Sequence, residues 1–247
     1  MFLFQHTPAS EPGSLSYLLG CVGQGLGIAV DVHQDEVDLY LEIADQKGIQ
    51  IAYVVDTHVH ADHYTGGYEL AQRSGGQYAL HKNSPAQCLF KPLEDHQIVK
   101  AGNVEVEVIY TPGHTEDSIS LVVTDRSRAD EPWFLVTGHT LFVGSVGRPD
   151  LKGRATEMAN QLYDSIHGRI LTFPDTMEIL PGAQAGSVCG AGISGKPMST
   201  LGFEKRYNPT LKLDKAAFVE QVVGAVLPAP EGLKKIVAYN LNPAISR

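Results

Sequence analysis

Residues 57–63 read Thr-His-Val-His-Ala-Asp-His, which places four potential metal ligands, His58, His60, Asp62 and His63, within six positions. Neutral imidazoles and a carboxylate suit zinc, iron or manganese better than calcium or copper(I). On an extended backbone His58 and His60 point the same way, because side chains alternate with period two. A turn at Ala61 then folds Asp62 and His63 over a second metal position. Two more histidines stand in comparable places, His114 in Thr111-Pro112-Gly113-His114 and His139 in Gly138-His139-Thr140. A lone histidine is more often a packed residue than a ligand. His6, His33, His81, His96 and His167 have no ligand-type neighbour at useful spacing and are read that way.

The elements that must position this set can be read from periodicity and punctuation. Ser14–Leu19 and Gly25–Val32 suggest two strands around a Gly-rich turn, followed by a helix over Asp35–Lys47. Ile49–Asp56 is a continuous β-branched run, as expected of a fully buried strand. A helix is predicted for Tyr64–Arg73, strands for Gln77–Leu80 and Val104–Tyr110, and a hairpin for Ser118–Thr124 with Trp133–Thr137. Thr156–Ile170 carries Met158, Leu162, Ile166 and Ile170 on one helical face. Met177–Leu180 reads as a last strand and Asp214–Leu227 as a terminal helix capped by Asp214. His58, His114 and His139 each follow a predicted strand, so loops at one end of a layered sheet can bring them together.

The 247 residues suffice to bury a large core, and the formal net charge of −9 gives no electrostatic basis for binding nucleic acid. No run of eighteen apolar residues occurs, so a membrane-spanning helix is excluded. The N-terminus has no early Lys or Arg and breaks at Pro8, unlike a secretory signal. Three scattered cysteines, Cys21, Cys88 and Cys189, do not form a disulfide framework and are expected as small buried hydrophobes in a reducing cytoplasm.

Thr57–His63 resembles the T-H-x-H-A-D-H signature of the metallo-β-lactamase superfamily, and the resemblance continues along almost the whole chain. Thr111–Thr115 is similar to the segment that supplies that superfamily's third histidine. Gly138–Leu151, GHTLFVGSVGRPDL, resembles the G-D-T-L-F-V-G-x-V-G-R-P-D-L block of the persulfide dioxygenase branch. Ala185–Gly190 and Glu204–Pro209 are similar to that branch's A-G-S-x-C-G and E-K-R-x-N-P segments. Glyoxalase II-type hydrolases share the first motif and match the later blocks less well. The resemblance implies an α/β fold, the αββα sandwich of two mixed sheets with outer helices. Residues 1–247 are expected to form a single domain, with a C-terminal helical segment at about 210–247 packed on it. In the dioxygenase branch it implies one iron(II) held by two histidines, here His58 and His114, and an aspartate. The implied reaction inserts oxygen into a persulfide such as glutathione persulfide, giving sulfite and the free thiol.

Two departures fall on metal positions. The block that begins Gly-Asp in the family begins Gly138-His139 here, and the last family histidine, in P-x-H-G, is Ala183. Loss of that histidine takes a partner from Asp62 and His63 and weakens a dinuclear hydrolytic site, where a hydroxide held between two ions is the usual nucleophile. His139 in place of aspartate gives a three-histidine set, His58, His114 and His139, with His60, Asp62 and His63 behind it or as alternative ligands. With iron(II) the exchange raises the charge of the site from about +1 to about +2. The other outcome is a relocated metal or an empty site.

The expected function is therefore a mononuclear non-haem iron oxygenase acting on a low-molecular-weight persulfide or thiol with O2. One iron(II) per chain is expected, with zinc or manganese as alternatives. A zinc-dependent glyoxalase II-like thioester hydrolase and a catalytically impaired metal-binding or regulatory homologue are the competing readings. The length leaves no room for a rhodanese domain, so sulfur transfer would fall to a separate sulfurtransferase, and a homo-oligomer is expected. Arg148 and Asp150 are read as a loop-bracing ion pair, and Arg206 and Tyr207 equally as pocket-lining or structural residues.

Overall fold

The computed structural model describes residues 1–151, 153–225, 228–229 and 231–244. Six strands form one sheet in chain order: β1 (Phe2–His6), β2 (Ser16–Cys21), β3 (Leu26–Val30), β4 (Gln50–Val55), β5 (Gln77–His81) and β6 (Lys91–Leu93). Its first two pairings are antiparallel and the remaining three parallel. The other large sheet contains β7 (Ile98–Ala101), β8 (Val104–Tyr110), β9 (Ile119–Asp125), β10 (Phe134–Gly138), β13 (Glu178–Pro181) and β14 (Ser199–Thr200). It is antiparallel except where β10 and β13 run parallel. Between β10 and β13 lies a small hairpin of β11 (Leu141–Phe142) and β12 (Ser145–Val146).

Alternation along these strands builds the layers. Tyr17, Leu19, Ile28, Val30 and Val55 face Val106, Leu121, Val123, Phe134 and Val136 in a core between the sheets. The intervening Leu18, Ala29 and Val54 face outward onto helices α1 (Val37–Gln46) and α2 (Gly67–Ser74). On the opposite flank Val122, Leu135 and Ile179 meet α3 (Ala155–Gly168) and α5 (Lys215–Gly224) through Leu162, Ile166 and Phe218. The central strands β2, β3, β9 and β10 are thus buried on both faces, and the result is an αββα arrangement of two mixed sheets with helices outside. Two further helices, α4 (Leu201–Tyr207) and α6 (Leu233–Leu241), follow β14 and close the described chain.

The predicted elements are present with shifted ends. The helix expected from Tyr64 starts at Gly67, because Thr65 instead bridges to His33 and its Oγ1 accepts the Gly67 N–H at 2.9 Å. Asp214 caps α5 by accepting the Ala217 N–H at 2.9 Å; Leu227, the expected end, lies outside the described residues. The short edge strands β1, β6 and β7 and the helices α4 and α6 carry weak sequence signals, although Leu233, Ile236, Val237 and Leu241 do repeat at helical spacing. No described helix is long and apolar enough to cross a membrane. Cys21, Cys88 and Cys189 are free, with Cys21 and Cys189 buried and Cys88 partly so.

Candidate metal centre

Strand direction collects the chemistry at one end of the sandwich. β3 delivers Asp31, β4 delivers residues 56–63, β8 delivers 111–114, β10 delivers His139 and β13 delivers Ala183, each at or just beyond a C-terminal strand end. Two glycines permit the close approach of these loops. Gly138 (φ +50°) packs against the side chain of Thr57, and a Cβ on Gly147 would collide with the His139 carbonyl oxygen.

The structure brings His58, His114 and His139 together, all at most 2% exposed, with one donor atom from each within 4.8 Å of the others. Neighbouring groups fix the tautomers of His58 and His114. The Thr57 hydroxyl donates to Asp31 at 2.9 Å and therefore accepts from His58 Nδ1 at 3.1 Å, leaving His58 Nε2 unprotonated, buried and without a hydrogen-bond partner among the described residues. His114 Nδ1 donates to the Arg148 carbonyl at 2.8 Å, so its Nε2 also carries a lone pair, 3.3 Å from His139 Nδ1. Buried lone pairs aimed into one space, each backed by a hydrogen bond on the opposite nitrogen, are what a metal ion satisfies. The residues present fit a divalent cation.

His60, Asp62 and His63 form a second group beside the first. His60 Nε2 donates to Asp31 Oδ1 at 3.0 Å while its buried Nδ1 has no hydrogen-bond partner among the described residues. Asp62 Oδ1 accepts from His63 Nδ1 at 3.2 Å, and its side chain is 1% exposed. Asp31 is central to this layer, because it also accepts the Thr57 N–H at 2.7 Å and holds a left-handed backbone, φ +53°. Asp31, just past the end of β3, thus braces the histidine loop itself.

His33, read as ordinary from sequence, stacks on His63 with ring centroids 3.5 Å apart. Its only sequence signal was its position two residues past Asp31. His81 stacks on Tyr110, His167 on Tyr163, and His6 and His96 contact Glu36 and Glu107. Asn240 of α6 was missed entirely. Its Nδ2 donates to the carbonyls of His60 and His63 at 2.9 and 2.8 Å, and its Oδ1 accepts the Thr65 N–H at 2.9 Å. Asn240→Ala leaves those buried groups unpaired and should cost about 1–3 kcal/mol in denaturant unfolding. Metal affinity should fall about 10–100-fold, as for other groups that orient ligands.

Arg148 makes a bidentate pair with Asp150, 2.6 and 2.8 Å, and donates to the Val188 carbonyl at 3.1 Å, which braces the loop carrying the His114 acceptor. Arg206 and Tyr207 are exposed on α4 and do not line a pocket with the histidines; in their segment Glu204 and Asn208 do the bracing, toward Gly144 and Ser145. A cavity of about 370 Å³ opens beside the ligand loop, between Val59, Ala61 and Thr115 and the apolar face of α6 at Leu233, Val237 and Leu241.

Burial and the neighbouring imidazoles hold His58 well below the ordinary imidazole range, and burial with the His139 ring lowers His114 to about 3. Burial also lowers His139, against the attraction of Asp62. His60 runs the other way: burial opposes its charge, but the Asp31 carboxylate outweighs burial and raises it. A lowered folded-state value favours the neutral ring, so this stability is complete above pH 6.5 and is lost as pH falls toward about 3. Denaturant midpoints of metal-free protein should fall across that window, and less steeply in His114→Gln; parallel slopes would contradict the assignment.

The family model described as the metallo-beta-lactamase superfamily matches residues 23–177. The chain is 28% identical over 255 residues to the protein named persulfide dioxygenase ETHE1, mitochondrial, of Bos taurus, covering 98% of this chain and 93% of that one. It is 29% identical over 226 residues to the hydroxyacylglutathione hydrolase-like protein of Mus musculus, covering 82% and 77%. The crystal structure of ETHE1 from Myxococcus xanthus superposes with a TM-score of 0.85 at 28% identity, covering 98% of both chains. On its family match, its layered fold and its histidine motif, the chain belongs to the metallo-beta-lactamase superfamily.

Proposed function

We propose that this protein is a mononuclear non-haem iron oxygenase that uses O2 to oxidise a low-molecular-weight persulfide or thiol. The observation that carries the reading is the buried set of His58, His114 and His139, whose donor atoms converge with the opposite nitrogens of His58 and His114 already engaged. These three residues would hold one iron(II), which when bound supplies a place for O2 and a sulfur anion to meet. His60, Asp62 and His63 lie behind it, and Asp31 anchors His60. Three neutral imidazoles leave the full charge of the dication to attract a thiolate or persulfide anion. The chain's contribution is then positioning, exclusion of water and charge stabilisation. The apolar cavity by Val59 and Ala61 gives the substrate a dry approach to the ligand loop.

Similarity to the Bos taurus persulfide dioxygenase along nearly the full chain supports this reading over the hydrolase one. Ala183 supports it too, because a methyl group replaces a donor that a two-metal hydrolytic site needs. A reducing compartment such as the cytoplasm suits the free thiols, a separate sulfurtransferase would consume or supply the sulfur, and a homo-oligomer completes the proposal.

The test is anaerobic purification, metal analysis and oxygen uptake with glutathione persulfide. Stoichiometric iron and persulfide-dependent oxygen uptake are expected. Zinc with oxygen-independent thioester cleavage would establish the hydrolase instead, and a protein without tightly held metal would sink both readings.

A further inference from the structure

His139 presents its two ring nitrogens to two different groups. Nδ1 lies 3.3 Å from His114 Nε2, within the three-histidine set. Nε2 lies 4.0 Å from Asp62 Oδ2, on the side of a second buried set, Asp62, His139 and Cys189, whose donor atoms also lie within 4.8 Å of one another. Both tautomers of the ring have a partner. A proton on Nε2 can be donated to the Gly182 carbonyl at 3.4 Å, which leaves the Nδ1 lone pair for the three-histidine set. A proton on Nδ1 can be donated to His114 Nε2, which leaves the Nε2 lone pair for Asp62 and Cys189.

The thiol is held in place by its backbone. The Cys189 N–H donates to Ser187 Oγ at 3.1 Å, and its carbonyl accepts the Arg148 N–H at 3.0 Å. Cys189 is fully buried in one cluster with Phe142 and Ala183, so it is the donor that remains at the corner where residue 183 offers only a methyl. Thiolate, carboxylate and imidazole together are a donor set for zinc and similar borderline-soft ions. Two anions cancel the charge of a dication, whereas three imidazoles leave it whole.

We propose that Asp62, His139 and Cys189 form a thiolate-containing site for a zinc-like divalent ion, which competes with the three-histidine set for the single lone pair of His139. On binding, the Cys189 S–H bond breaks, its proton leaves to solvent and a sulfur–metal bond forms, with no change in oxidation state. The proposal does not rest on the oxygenase reading, and its test reads no oxygen chemistry.

The test uses metal-free full-length protein titrated with cobalt(II), whose thiolate complexes show a near-ultraviolet charge-transfer band. The band should grow in the natural protein and be lost in Cys189→Ser. X-ray absorption of the natural zinc-loaded protein should show a sulfur scatterer at about 2.3 Å, a readout that needs no variant to fold. Zinc loaded first should suppress iron uptake by the natural protein, and Cys189→Ser should restore it. Absence of the band and of the sulfur scatterer in the natural protein overturns the proposal, as does a band that survives in Cys189→Ser. Iron uptake unaffected by zinc overturns the competition.

Discussion

His114→Ala should strip the protein of tightly held metal and reduce persulfide-dependent oxygen uptake by more than the roughly 10–100-fold that follows loss of a ligand-orienting group. The reason lies in what the side chain joins. His114 Nδ1 is engaged with the Arg148 carbonyl at 2.8 Å, so its orientation is set from behind and its Nε2 is available in front. Alanine removes the donor and also leaves that carbonyl without its imidazole partner in a buried place. Metal content by elemental analysis is the decisive measurement. His81→Ala is the control, because that ring stacks on Tyr110 with its centroid 4.1 Å away, outside the cluster. Equal metal content in the two variants would show that His114 is not a ligand.

Asp31→Ala should destabilise the protein by about 3–5 kcal/mol, the scale for removing one partner of a buried charged pair. Asp31 is 2% exposed and accepts from the Thr57 N–H, the Thr57 hydroxyl and His60 Nε2. All three donors lose their acceptor together, and alanine inherits a left-handed backbone at φ +53° that Asp and Asn tolerate better. Asp31→Asn should therefore fall between alanine and the natural protein, since it keeps an acceptor and suits that backbone. Chemical denaturation of metal-free samples separates this effect from metal loss. A stability in Asp31→Ala within about 0.5 kcal/mol of the natural protein, the scale of a neutral surface change, would refute the role.

The layered fold and the clustering of the histidines were legible because each rests on local pattern. The β-branched run of β4 leads straight into His58-x-His60-x-Asp62-His63, and the stops after β8 and β10 set His114 and His139 beyond strand ends. Strand direction then requires those three loops to meet. The remainder depends on contacts that spacing does not encode. Asn240 reaches residues 60 and 63 from a helix near the end of the chain, and nothing about an asparagine there marks it. His33 enters the site by stacking, through a bridge between residues 33 and 65 that no periodicity foretells. Cys189 is similar: its spacing suggests an ordinary buried thiol, and only the fold sets it beside Asp62 and His139. Arg206 and Tyr207, left open between a pocket and a structural role by charge and aromaticity, are turned to solvent by the helix.

The hold of Asn240 on the ligand loop sets an order of events during biosynthesis. The carbonyls of His60 and His63 wait for a residue 180 and 177 positions downstream. On the ribosome the loop emerges early with its histidines but without that anchor. The docking of α6 is thus a completion step: the loop gains its last backbone anchor only after residue 240 has been made.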